Sequence, residues 1–217
     1  MQVDLYNQGG KKTSKIELSD AVFNVPLNET VVHQALVMQL ANRRQGTVDT
    51  KTRAEVAKST RKLFNQKHTG RARRGSAKSP LLKGGGVAFG PHQRSYRQAM
   101  PRKMRRLALK CVLSAKAGSG ELKVIDKLEL TEPNTKQLFD MLIALGIDTS
   151  VVIATGGVDE YAYKSARNLV AVKMVPASLL NVADLLSCKG LVMTLDAVKK
   201  VEELWGQKKD GNAKVNN

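Results

Sequence analysis

The C-terminal half of the chain alternates short apolar runs with longer segments of helical periodicity. The apolar runs are rich in valine, isoleucine and leucine, which is typical of strands that are covered on both faces of a sheet. Because such runs alternate with helical patterns, the sequence predicts βαβ units and a mainly parallel sheet. The predicted strands are 122–130, 150–155, 170–175 and 190–195, and the predicted helices are 134–146, 158–168, 178–187 and 196–206.

Patterns in the first half and at its end complete the predicted domain. Residues 1–7 and 14–19 alternate apolar and polar side chains, as half-buried strands do. Asn28 is a suitable N-cap for a helix over 29–44, where apolar residues recur at helical spacing. A further helix over 101–118 is expected to dock on the core by one face and to carry cations on another. Its predicted apolar stripe is Met104, Leu107, Ala108, Cys111 and Ala115.

Both kinds of pattern fail between residues 46 and 100, a stretch rich in glycine and basic side chains and interrupted by Pro80 and Pro91. Only a short helix over 53–64 is predicted there. A stretch of this length without regular structure is either disordered or functional. We favour a segment that is mobile alone and becomes ordered on its partner. The side chains expected to give it local packing are Leu81, Leu82, Val87 and Phe89.

The predicted fold class is therefore α/β, a mainly parallel sheet with flanking helices plus a long extended basic loop inserted in the domain. Residues 1–45 and 96–206 are predicted to form the discontinuous globular domain, 46–95 the loop and 207–217 a polar tail. The sequence has no apolar run of about 18 residues that could cross a membrane. Its N-terminus also lacks the basic-then-apolar pattern of a signal peptide, so we expect a cytoplasmic protein.

The positive charge of the chain is concentrated in one block. The formal net charge is +17, yet residues 1–42 and 111–217 have net charges of −1 and 0. Residues 43–110 carry twenty basic groups against only Asp49 and Glu55. A solvated basic helix face normally interleaves acids, which limit the repulsion between its cations. The missing negative charge is therefore expected on a partner, and a polyanion is the simplest candidate.

Motifs for catalysis, cofactors and metals are weak or absent in the sequence. It has no Walker A pattern, and no dinucleotide fingerprint follows a predicted strand. Gly156 and Gly157 could face a phosphate, but a tight strand–helix turn capped by Asp159 explains them better. Cys111 and Cys188 are far from any zinc or redox spacing, and we expect reduced, buried thiols. We therefore predict no enzyme, no cofactor and no metal site.

The basic block favours folded RNA over other polyanions. Glycine permits close backbone approach, and arginine offers a planar fork that matches phosphate. The basic block contains few aromatic residues (Phe64, Phe89 and Tyr96), which disfavours a module that stacks single-stranded bases. The sequence has no helix-turn-helix or zinc-finger pattern that would indicate binding to duplex DNA. The candidate RNA-binding cations are Arg43, Arg44, Lys51, Arg53, Arg61, Lys62, Lys67, Arg71, Arg73, Arg74, Lys78, Lys83, Arg94, Arg97, Arg102, Lys103, Arg105 and Arg106.

Four segments resemble a known family. They are LANRRQGT (40–47), QKHTGRARRGSAKSPLLKGGGVAFGP (66–91), MPRKMRRLALKCVLSAK (100–116) and LVMTLDAVKKVEELWG (191–206). In this order they resemble the bacterial large-subunit ribosomal protein four family over nearly the whole chain. The resemblance implies a globular domain on the solvent side of the ribosome and an extension that reaches through rRNA to the wall of the nascent-peptide exit tunnel. It also implies early binding to large-subunit (23S) rRNA, neighbouring large-subunit proteins as partners, no small-molecule substrate and, in some bacteria, repression of the protein's own operon through its mRNA leader.

The resemblance further implies roles within the loop. His68 stands where the family often has glycine, and STRKLFN (59–65) replaces a common glycine run followed by Pro-Trp-Arg. The tip at the tunnel is expected at Gln66, Lys67, His68, Thr69, Gly70 and Arg71. The glycines expected to let the backbone approach RNA are Gly70, Gly75, Gly84, Gly85, Gly86 and Gly90.

Two alternatives from other classes remain open at this point. A regulator or RNA chaperone that acts off the ribosome would bind free RNA through a disordered loop. An α/β enzyme with a basic substrate loop would bind a nucleotide through its globular half alone.

Overall fold

A six-stranded sheet organises the computed structural model, which describes residues 1–206. The strands are β1 (Gln2–Tyr6), β2 (Lys12–Glu17), β3 (Leu122–Ile125), β4 (Val151–Thr155), β5 (Val172–Pro176) and β6 (Gly190–Thr194). Their spatial order is β2-β1-β3-β6-β4-β5. The pair β1–β2 is antiparallel and the other neighbouring pairs are parallel, so the predicted mainly parallel α/β fold is confirmed.

Helices cover the sheet on both sides. Every residue of β4 and β6 is buried, as expected for apolar strands between two helical layers. One hydrophobic cluster contains Phe23 and Leu113, and a second contains Ile153 and Leu138. The helices of the described chain are α1 (Asp20–Phe23), α2 (Glu29–Arg43), α3 (Arg102–Gly118), α4 (Thr135–Ala144), α5 (Glu160–Ala166), α6 (Val182–Ser187) and α7 (Leu195–Gly206).

Two predicted elements of the C-terminal half are shorter than expected. The strand predicted over 122–130 ends at Ile125, after which polar residues are exposed. The helix predicted over 178–187 is divided into a short 3₁₀ turn and α6. The division occurs because the side chain of Asn181 accepts a hydrogen bond from the backbone N–H of Asp184 and starts a new helix.

The buried face of α3 is broader than the predicted stripe. Ala108 and Cys111 are buried as expected, but Leu107 and Ala115 are exposed, so that part of the prediction was wrong. The reason is that α3 packs against both α1 and α6, and a single narrow stripe cannot face two neighbours. Its core side also includes Leu109, Val112, Leu113 and Ala117.

The chain divides into two compact units. The sheet unit contains residues 1–40 and the chain from Ala99 onward, and the basic unit is Ala41–Gln98. The sheet unit contains both hydrophobic clusters. The predicted assignment of 46–95 to an RNA-penetrating loop stays a prediction. The predicted polar tail at 207–217 lies outside the described residues.

The backbone of the basic unit is irregular beyond the end of α2, and the helix predicted over 53–64 is absent. One turn forms where the N–H groups of Glu55 and Val56 donate to the carbonyl of Thr52, and it goes no further. The segment offers only Val56 and Phe64 as half-buried apolar side chains. A short helix without an apolar face to bury is marginal in water, which explains the failed prediction.

The basic unit also lacks a core of its own. Gly86 is its only buried residue in the part that the structure describes. Leu81 is 87% exposed and Phe89 107% exposed, and Val87 is exposed too. The expected local packing is therefore wrong for Leu81, Val87 and Phe89, whereas Leu82 is half-buried.

Candidate RNA interface

The predicted RNA-binding cations divide between the two units. Fourteen of the eighteen belong to the basic unit and four to the start of α3. All are exposed except Lys78, which is half-buried. Most of these cations lie on a segment without a core, where a large anionic partner can reach them from solvent.

The two acids of the basic unit are occupied by local partners. His92 Nδ1 lies 2.9 Å from Asp49 Oδ1, and the N–H of Thr50 donates to the same oxygen at 2.9 Å. These two hydrogen bonds lower the pKa of Asp49, with the contact to His92 the larger cause. The N–H and hydroxyl of Thr52 donate to Glu55 Oε2 and lower the pKa of Glu55. Both carboxylates therefore organise local turns.

Backbone contacts hold the outgoing and returning segments of the basic unit together. The N–H of Val87 donates to the carbonyl of Lys51 at 2.9 Å. The hydroxyl of Thr50 donates to the carbonyl of Pro91 at 3.1 Å. Cations on both segments are thus held on one stem, which suits a partner that carries a row of phosphates.

Several glycines of the stem are required by contacts inside the protein. A Cβ on Gly86 would lie 2.2 Å from the nitrogen of Arg53, and one on Gly85 would lie 1.9 Å from the carbonyl oxygen of Ser79. A Cβ on Gly90 would meet the hydroxyl of Thr50 at 2.1 Å. Within the free protein these glycines serve close approach between two segments of the same chain. At Gly70 and Gly75 an added Cβ would meet nothing within 4 Å, so backbone approach by RNA stays the prediction there.

A single bridge closes the outer loop of the basic unit. Lys62 and Ser76 form an isolated antiparallel bridge, and the N–H of Leu63 donates to the carbonyl of Gly75 at 3.1 Å. Inside this loop the Lys62 ammonium donates to the side-chain oxygen of Gln66. The predicted tip therefore lies within a loop that is closed at its base.

The tip turns through two left-handed residues. His68 has φ 64° and Gly70 has φ 63°. Histidine tolerates this region better than most residues with a side chain, although glycine does so at less cost. The turn leaves Lys67 and Arg71 exposed on either side of it.

Four cations occupy the first turns of α3 in the sheet unit. Arg102, Lys103, Arg105 and Arg106 are all exposed, and the first turn contains no acid. A helix N-terminus carries partial positive charge, so cations there repel the helix dipole as well as each other. Burial and the charge of Arg106 also lower the pKa of Lys110. An anionic partner would relieve this repulsion.

Comparison with known proteins decides the family. A model of the ribosomal protein L4/L1 family matches residues 16–204. The chain belongs to this family. It is 52% identical over 208 residues to the large ribosomal subunit protein uL4 of Dehalococcoides mccartyi, covering 96% of this chain and 99% of that protein. The proteins of the same name from Pelotomaculum thermopropionicum and Symbiobacterium thermophilum are 51% and 50% identical, each over 94% of this chain and over 98% and 99% of their own lengths.

Membership of the ribosomal protein L4/L1 family confirms that the chain is a ribosomal protein and not an enzyme. The turn after β4, which contains Gly156 and Gly157, is held by hydrogen bonds within the protein. Asp159 accepts from the N–H groups of Tyr161 and Ala162, and Lys200 donates to the carbonyl of Gly156 at 2.9 Å, so the turn is a capped strand–helix junction. Within residues 1–206 no cluster of His, Cys, Asp or Glu could hold a metal ion, and no helix is long and apolar enough to span a membrane.

Sequence reasoning missed two features of this ribosomal L4-family protein. Tyr96 contacts two arginines, whereas the sequence showed only an isolated aromatic residue in a basic block. Lys116 is buried in α3, although a lysine at that position reads as a surface residue. The contact between Arg44 and Tyr96, and those of Lys116 with the carbonyls of Cys188 and Lys189, join positions that are distant in sequence. Cys111 is buried as expected, and Cys188 is only half-buried; both are free thiols.

Proposed function

We propose that this protein is a structural constituent of the large ribosomal subunit and binds 23S rRNA early in assembly. Its relatives are named large ribosomal subunit proteins. The observation that carries the proposal is the basic unit itself, an exposed, coreless segment with fourteen candidate cations and with both of its acids occupied locally. Neighbouring large-subunit proteins are its further partners, and its location is the ribosome of the cytoplasm.

The physical basis of binding is the release of counterions from RNA phosphates. Each cation that neutralises a phosphate frees a condensed ion, so the affinity falls as the salt concentration rises. The stem contacts join the outgoing and returning segments, so binding has less backbone left to order than in a chain without them. Exposed side chains such as Leu81 and Phe89 then bury their apolar surface against RNA instead of against protein.

Titration with salt tests this part of the proposal. If a third of the twenty cations of residues 43–110 bind phosphates, log K against log salt should slope by about −4 to −6. A slope near zero would exclude a phosphate-dominated interface. Co-sedimentation with large subunits in high salt separates a subunit component from a regulator that acts on free RNA, since only the former stays bound.

We further propose that the tip at residues 66–71 contributes to the wall of the nascent-polypeptide exit tunnel. The tip is exposed, lacks apolar contacts of its own and carries Lys67 and Arg71 on either side of a tight turn. These properties suit a narrow, RNA-lined passage. A Lys67→Cys variant is expected to crosslink to a stalled nascent chain, and crosslinks that form only to surface proteins would contradict the proposal.

A regulatory role is a separate proposal for the same cations. Surplus protein could bind the leader of its own mRNA, because a surface that reads phosphates in folded RNA does not require the ribosomal sequence. A reporter fused to that leader should fall in expression when the protein is overproduced. An unchanged reporter would rule out autogenous repression without affecting the ribosomal role.

A further inference from the structure

A polar cavity of about 580 Å³ lies where the basic unit begins and ends. We call it the neck pocket; Arg44, Arg94 and Arg97 line it, together with amide and hydroxyl side chains that include Asn42, Gln45 and Ser95. No acid is part of the lining. Among the described residues, no acid lies within ion-pairing distance of these three guanidinium groups. The pocket therefore concentrates uncompensated positive charge.

Tyr96 fixes the positions of two of these arginines. The guanidinium carbons of Arg44 and Arg94 lie 3.8 and 4.6 Å from the centre of its ring. The nearby guanidinium of Arg94 also lowers the pKa of the Tyr96 phenol, and the charge of Arg44 adds to the effect. Cation–π contacts orient guanidinium groups that would otherwise move apart by mutual repulsion. With Arg44 at stacking distance, the ring serves the arginines instead of a nucleic-acid base.

Hydrogen bonds within the basic unit hold the walls of the neck pocket together. The N–H of Gln98 donates to Asn42 Oδ1 at 2.7 Å, and Asn42 Nδ2 donates back to the carbonyl of Gln98 at 3.3 Å. The N–H of Arg94 donates to the carbonyl of Gly46 at 3.2 Å. Gly46 has φ +69°, and a Cβ there would lie 2.1 Å from the carbonyl oxygen of Arg94 and 3.1 Å from the Tyr96 ring. The site is thus preorganised.

We infer that the neck pocket binds one phosphodiester group of an RNA strand together with its nucleoside, and that Tyr96 is a positioning residue that holds Arg44 and Arg94 for this phosphate. Planar guanidinium forks match phosphate oxygens, and the amide side chains suit the edge of a base. The cavity falls within the roughly 300–1,000 Å³ of small-ligand sites, so it has room for a nucleotide and not only for a phosphate. The inference rests on the proposed RNA-binding function. It assigns to each arginine of the neck pocket a larger contribution to the affinity for RNA than to a cation of the basic unit outside the pocket.

Filter binding of the full chain to a 23S rRNA transcript tests the role of Tyr96. Tyr96→Leu removes the ring without changing the charge. Affinity should fall about tenfold, which is about 1.4 kcal/mol, because the charge-assisted hydrogen bonds of Arg44 and Arg94 to phosphate lose their geometry, while the salt slope stays at its wild-type value. Tyr96→Phe keeps the ring and should bind within about threefold of wild type. Affinity of Tyr96→Leu within twofold of wild type, or equal losses in Leu and Phe variants, would overturn the positioning role.

A matched pair of arginine variants tests the pocket itself. Arg97→Gln lies in the pocket and Arg61→Gln lies outside it, and both are exposed side chains of the basic unit. Each loses one cation, so each should reduce the salt slope by about 0.7–0.9 if its cation binds phosphate. Arg97→Gln should lose about tenfold in affinity and Arg61→Gln about two- to threefold. Equal losses of affinity in the two variants would reject the neck pocket as a binding site without contradicting the proposed RNA-binding function. A wild-type chain that does not bind the transcript would reject that function itself.

Discussion

Lys116 is a buried cation that connects α3 to the segment leading into β6. It is 7% exposed, and its ammonium donates to Glu121 Oε2 at 3.0 Å and to the carbonyls of Cys188 and Lys189 at 2.9 and 2.8 Å. The same helix carries the exposed basic side chains at its other end. Lys116→Met keeps most of the apolar stem but removes all three hydrogen bonds, and it should lower the free energy of unfolding.

The expected loss is about 2–3 kcal/mol. A hydrogen bond to a charged group contributes roughly 1.5–3 kcal/mol, and here two carbonyls lose such a donor. The ion pair with Glu121 adds little, because that carboxylate is 43% exposed and water solvates it once the lysine is gone. Part of the loss is offset, since burying a methionine avoids the desolvation of an ammonium group.

Urea unfolding of the full chain provides the measurement. Trp205 is the only tryptophan and packs against the larger hydrophobic cluster, so its fluorescence reports on the sheet unit. Lys164→Met is the matched control, because Lys164 pairs only with the exposed Glu160 one helical turn away and should cost less than about 0.5 kcal/mol. If Lys116→Met lowers the free energy of unfolding no more than the control does, the buried hydrogen bonds contribute nothing measurable and the reasoning is wrong.

Three further predictions concern the basic unit. Replacing residues 46–95 by a short Gly/Ser linker should leave cooperative unfolding of the sheet unit, since closing a shorter loop costs little; a non-cooperative melt would contradict this. Lys67→Glu should preserve subunit assembly but change sensitivity to a tunnel-binding macrolide, whereas Lys78→Glu on the stem should impair assembly more; parental drug sensitivity of Lys67→Glu would place the tip elsewhere. Hydrogen bonds lower the pKa of Asp49 in the folded state below 3.8, so their contribution to the free energy of unfolding is present above pH 3.8 and is lost as the pH falls through the folded-state pKa. The amide chemical shift of Thr50 should follow this titration in the parent protein and should not follow it in the Asp49→Asn variant.

Most of the sheet unit could be predicted because its signals are local. Valine-rich runs predicted the parallel strands, and the expected caps were found: Asn28 accepts from the N–H of Val31, and Asp159 accepts at the start of α5. The short helix α1 was missed because four residues carry no readable period. The split before α6 was missed because Asn181 lies within an apolar run that by itself favours one continuous helix.

Details of the basic unit were harder to predict because its contacts join distant positions. The block of charge indicated an RNA partner, but hydrophobic pattern and propensity do not reveal that Lys51 contacts Val87 or that Thr50 contacts Pro91. Phe89 was expected to pack locally because its side chain is apolar, and the sequence does not show whether another part of the unit covers it. Its left-handed backbone, with φ 52°, turns the chain where no other part of the unit covers the ring.

The glycines show how one residue type can satisfy two demands in this molecule. Gly85 and Gly86 permit backbone contacts that build the stem, whereas Gly70 and Gly75 have open space around them. A substitution to alanine separates the two roles. At Gly86 it should disrupt the stem even without RNA, because the Cβ would lie 2.2 Å from a backbone nitrogen that cannot move alone. At Gly75 it should leave the free protein unchanged and weaken only RNA binding, if the backbone there approaches phosphate closely. Amide spectra of the two free variants, followed by their affinity for the 23S transcript, distinguish a glycine needed for folding from one needed for RNA, and a Gly75→Ala variant with wild-type affinity would remove Gly75 from the interface.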